Sequence, residues 1–146
     1  NFMEQDSHLD FVRFYAYIPY PYMKPFKDNF SEMYLPLFGW NTGKIYIYSD
    51  HPHLRRSSFL SKFGRYAEGL KGDRTEYRMC ISVLQKKAKG LFYNDYQALF
   101  VQRNTVTEPS TMKRENWRMS NNFFLRNLRS CYRQIKYNYD IFFMKP

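Results

Sequence analysis

Five side chains in this sequence offer sulfur or imidazole chemistry: His8, His51, His53, Cys80 and Cys131. A structural zinc site takes paired Cys or His ligands at short spacing on two sides, and His51-Pro52-His53 supplies only one such pair. The two imidazoles read as surface histidines of a turn, and the two cysteines as reduced core residues on apolar helix faces. Hydrolytic and transfer enzymes leave other patterns, such as a Gly-flanked serine elbow, a Gly-Lys-Ser phosphate loop, a dinucleotide fingerprint or paired carboxylates beside a histidine. None occurs here. Gly64, Gly69 and Gly72 stand near basic residues, but no strand precedes them and no Gly-Lys-Ser or Gly-Lys-Thr follows. The expectation is a non-enzyme with no catalytic residue, no metal and no cofactor.

The chemistry that is present is cationic and aromatic. The chain carries 23 Lys and Arg against 13 Asp and Glu, a formal charge of +10, which favours polyanionic neighbours. Arg118, Arg126, Arg129, Arg133 and Lys136 are interleaved with Tyr132, Tyr137 and Tyr139. Guanidinium groups fork onto phosphate and carboxylate, and rings stack on bases, so these five cations form the expected polyanion-binding or partner-binding face. Rings make up 21% of residues, as 14 Tyr, 14 Phe and 2 Trp, about twice what an ordinary domain carries. A domain of this size leaves much of its surface in water, so some rings are expected to face a partner. Tyr15, Tyr17, Tyr20, Tyr22, Phe26 and Trp40 are the candidates.

Elements must hold these groups in place. Between Phe14 and Phe26, Pro19, Pro21 and Pro25 remove donors and push their neighbours out of the helical region, which predicts an extended ribbon. Lys44-Ile45-Tyr46-Ile47-Tyr48 reads as a strand, and residues 57–66 as a short helix. Asp73 with Glu76 forms a capping box ahead of Tyr77, Cys80, Ile81 and Leu84 at helical spacing, with Gly90 as the stop. A further helix is expected over 94–103. No Gly or Pro interrupts Ser110 to Lys145, which permits one long helix from about Thr111. In it Trp117, Phe124, Leu128, Cys131 and Ile135 share one narrow arc, with Arg118, Arg129, Arg133 and Lys136 on the adjoining face. The string Arg129-Ser130-Cys131-Tyr132-Arg133-Gln134 resembles the Leu-Tyr-Arg signature of the small helical proteins that serve mitochondrial assembly and respiratory complexes, but Cys131 replaces the leucine and no family is assigned on it.

The expected fold is mainly α, α+β at most. An extended segment, 1–72, would carry one short strand, and a segment of about three helices, 73–146, would complete a single domain. No run of 18 apolar residues exists, so no transmembrane span is expected. A chain beginning at Asn1 leaves room for a removed targeting segment. The expected role is a structural accessory subunit of a large assembly, of the mitochondrial respiratory-chain, inner-membrane type, on the matrix side or membrane-associated. Its partners would be other protein subunits and lipid head groups. The alternative is an rRNA-contacting protein of the mitochondrial ribosome.

Overall fold

The computed structural model describes residues 2–36, 39–100 and 122–145. At its centre stands a five-stranded mixed sheet of order β2-β3-β5-β1-β4, formed by β1 (Leu9–Arg13), β2 (Met23–Pro25), β3 (Phe30–Met33), β4 (His53–Arg55) and β5 (Lys89–Tyr93). β1 and β5 pair in parallel, and the other pairings are antiparallel. The expectation of a mainly α chain with one strand is thereby corrected to α+β. β5 lies between β3 and β1, so a strand from beyond residue 72 completes a sheet begun in the first segment.

Local chemistry explains several of these elements. In the β2–β3 hairpin, Asp28 and Asn29 both take positive φ, 50° and 63°, and the Phe30 amide donates to the Lys27 carbonyl. That is a two-residue loop of the primed type, in the conformation Asp and Asn tolerate best. Pro25 is accommodated because β2 is an edge strand. In β1 the register shifts between Leu9 and Phe11. Asp10, in that irregularity, is buried and accepts from Lys62 Nζ at 2.6 Å and the Lys89 amide at 2.9 Å.

Helix α3 (Gly72–Gln85) covers one face of the sheet with Met79, Cys80, Ile81, Val83 and Leu84. Its stripe is as the sequence predicts, but its ends differ. Lys71 is the N-cap, with Asp73 inside the first turn, and Gly90 is a strand residue of β5. Between sheet and helix lie Phe11, Tyr48, Phe59, Phe63 and Phe92. Tyr48 stacks on Phe59 at 5.0 Å, and Phe11 meets Tyr48 edge-on at 5.6 Å. Rings thus cover rings. A smaller cluster of Met3, Leu9, Val12 and Leu91 gathers Phe2, of the short α1 (Phe2–Gln5), with Phe14 and Phe30.

The predicted strand at 44–48 is instead a 3-10 helix, Thr42–Ile47. The Asn41 side chain accepts from the Gly43 amide and starts it, and a non-helical kink at Tyr46 lets Ile45 and Ile47 both reach the core. An apolar alternation that looks like a strand is satisfied by a kinked 3-10 turn. Arg13 clamps this segment by donating to the Tyr46 carbonyl at 2.7 Å. The short helix expected over 57–66 is α2 (Phe59–Phe63). Residues 94–98 form turns, and no helix occurs over 94–100; the rest of that expectation, 101–103, lies outside the described residues.

Candidate functional site

The last helix, α4 (Phe123–Phe143), starts where Asn122 Oδ1 accepts from the Phe124 and Leu125 amides. The beginning expected near Thr111 lies outside the described residues, as do Arg118 and Trp117. Two rows of side chains decide how α4 sits. Gln134, Tyr137, Ile141 and Met144, at steps of three and four, are buried or half-buried against the core. Phe124, Leu128, Cys131, Ile135, Tyr139 and Phe142 recur at the same steps on another face, and all six are exposed. Phe124 is 80%, Leu128 70%, Ile135 66% and Phe142 76% exposed. Cys131 is therefore a surface thiol, unlike the fully buried Cys80, whose thiol donates to the Tyr48 carbonyl.

Polar contacts join these apolar ones on the inward side of α4. Asp140, itself buried, accepts from Tyr77 Oη and pairs with Lys136, and the Lys136 ammonium lies 4.6 Å from the centre of the Tyr77 ring. Gln85 Nε2 donates to the carbonyls of Asp140 and Met144. Lys44 Nζ donates to Asn138 Oδ1 at 2.7 Å. Gln134 is 3% exposed, and its amide has no hydrogen-bond partner. An ordinary surface helix turns its apolar stripe to the core and its polar face to water. α4 packs Tyr137, Ile141 and Met144 on the core and leaves a second apolar row in water.

The predicted cationic face is only partly free. Arg126 lies over the Phe123 ring at 5.9 Å, Arg129 Nε donates to the Leu125 carbonyl, and Lys136 is engaged with Asp140. Arg126, Arg133 and Lys136 are exposed, and Asp140 is the one acidic residue of α4. The six candidate partner-facing rings divide. Tyr15 and Tyr20 are buried in this chain, at 7% and 3%, and Tyr22 is half-buried with its hydroxyl accepting from the Asn41 amide. Tyr17, Phe26 and Trp40 are exposed, Trp40 by 78%. The larger set of outward rings belongs to α4, where the sequence seam was legible but its direction was not.

A second polar constellation surrounds Tyr48. Its hydroxyl meets His53 Nε2 at 3.1 Å, Tyr66 Oη at 2.7 Å and Arg55 Nη1 at 3.1 Å. His51 and His53, expected at the surface, are half-buried, and burial holds both below the ordinary histidine value. Ser49 Oγ lies 2.9 Å from His51 Nδ1, and Ser49 is 3% exposed. Among the described residues no group of three His, Cys, Asp or Glu could hold a metal ion. No helix among them is long and apolar enough to cross a membrane. Comparison of the chain with family models, curated proteins and solved structures gives no match.

Proposed function

We propose that this chain is a non-catalytic accessory subunit of a large multi-subunit assembly, docked through the outward apolar face of α4. The observation that carries the reading is the row Phe124, Leu128, Ile135, Tyr139 and Phe142, exposed along a helix that already packs on its own core through another face. Covering a side chain of that size contributes about 1.5–3 kcal/mol, so a partner surface gains several such increments along one helix. The setting we infer is a mitochondrial respiratory-chain complex at the inner membrane, with other protein subunits as partners and lipid head groups within reach of the cations. The basic balance and the surplus of rings support that setting.

One observation favours a second reading. Arg126 and Arg133 are exposed beside Tyr132 on a flank almost without acid, which suits the phosphates and bases of ribosomal RNA. A tagged chain followed through a detergent gradient, with and without ribonuclease, separates the two. Co-migration with respiratory-chain subunits that survives ribonuclease supports the first. Co-migration with ribosomal RNA that ribonuclease destroys replaces it with the second, and a free small species overturns both.

A further inference from the structure

A groove of about 840 Å³ opens between β3, the 3-10 helix, the end of α3 and the C-terminal half of α4. Its apolar lining includes Met33, Ile47, Val83, Leu84, Ile141 and Phe142. Such a volume lies in the range of small-ligand sites, which are mostly apolar with a few placed polar groups. The placed polar group here is Lys44.

Lys44 lines the groove and is 3% exposed. Its ammonium donates to the Gly39 carbonyl at 2.8 Å and to Asn138 Oδ1 at 2.7 Å, both neutral acceptors. None of the ion pairs among the described residues includes it. Three donors thus meet two acceptors. A buried cation is costly unless paired, and burial alone pulls this ammonium below the ordinary lysine range. The other charged groups at the groove do not relieve it. Lys89 is paired with Asp6, Lys87 is exposed, and the carboxylate of Glu32 is taken up by Lys24 at 3.3 Å.

We propose that this groove binds a long-chain carboxylate, of the fatty-acid type, with the carboxylate on Lys44 and the chain along Met33, Leu84 and Ile141. An anion at Lys44 supplies the missing acceptor and the missing charge together, while an acyl chain covers the apolar walls. A phosphate alone leaves the walls wet, and an uncharged chain leaves the ammonium unpaired. Of the apolar lining residues named, Phe142 alone also belongs to the outer row of α4.

The test is calorimetric titration of the purified full chain with laurate below its micelle concentration, with 1-dodecanol as the uncharged chain of equal length. Three variants accompany it: Lys44→Met, Ile141→Trp to fill the groove, and Leu128→Glu/Ile135→Glu on the outer face. The expected result is one laurate per chain, weakened at least tenfold by Lys44→Met and by Ile141→Trp, and unchanged by the outer-face pair. Shortening to decanoate should cost up to about fourfold per methylene removed. Dodecanol should bind weakly and show no preference for the wild type over Lys44→Met. Laurate binding that is absent, that survives both groove variants, or that disappears with the outer-face pair overturns the proposal. Should Lys44→Met fail to fold, Ile141→Trp and the dodecanol comparison still decide it. Loss of laurate binding together with intact assembly in the gradient would remove this inference and leave the docking reading standing.

Discussion

His53 Nδ1 lies 2.6 Å from the His51 carbonyl, which can only accept, so the ring carries its proton there and Nε2 accepts from the Tyr48 hydroxyl. Tyr48 in turn accepts from Arg55 and Tyr66. Protonating His53 places a third donor at the Tyr48 hydroxyl and a cation beside Arg55. Burial, the largest cause, already disfavours the charged form of both His51 and His53. The unfolded chain therefore binds protons near pH 6.5 that the folded chain resists, and stability present above pH 6.5 is lost as pH falls below it. Thermal unfolding should show a midpoint that falls between pH 6.5 and 5, and His53→Gln should flatten that slope; an unchanged slope contradicts the assignment. On α4, Asp140→Ala strips Lys136 and Tyr77 of their shared acceptor. A cost of about 1–3 kcal/mol is expected, read as a lower denaturant midpoint at constant slope.

Elements differ in how openly the sequence declares them. α3 was legible because its apolar stripe, Tyr77, Cys80, Ile81 and Leu84, follows helical period over about two turns. The strands were not, since β2, β3 and β4 are three or four residues long and acquire meaning only from distant partners. β5 was hidden by Gly90, a residue that serves equally as helix stop and as close-approach point. Its role in the fold is the second: a Cβ there would stand 2.4 Å from Phe11 Cζ and 2.9 Å from Met33 Cε. Gly90→Ala should cost about 1–3 kcal/mol in chemical denaturation, because the Phe11 ring must leave its place in the core. The hairpin turn at Asp28-Asn29 was not anticipated, and the apolar alternation at Ile45 and Ile47 pointed to a strand where a kinked 3-10 helix stands. For α4, period alone exposes the seam of Phe124, Leu128 and Ile135. It cannot say which side the rest of the chain will occupy, since Gln134, Tyr137, Ile141 and Met144 recur at the same spacing.

At the scale of the molecule, the surplus of rings has two destinations. Phe11, Tyr48, Phe59, Phe63 and Phe92 fill one core, and Tyr15 and Tyr20 are buried within the chain. Others are exposed, among them Phe123, Phe124, Tyr132, Tyr139, Phe142 and Phe143 along α4. Exposed apolar surface of this extent and continuity marks an interaction face. Leu128 and Ile135 are mostly exposed, so Leu128→Glu/Ile135→Glu should leave the thermal midpoint within a few degrees of wild type. The most direct measurement follows the same pair of substitutions in the native cell, comparing tagged wild type and double variant on one detergent gradient. Docking through α4 predicts wild type in a large particle and the folded variant at the top of the gradient as a free chain. A variant that still co-migrates with the large particle at wild-type yield would contradict it.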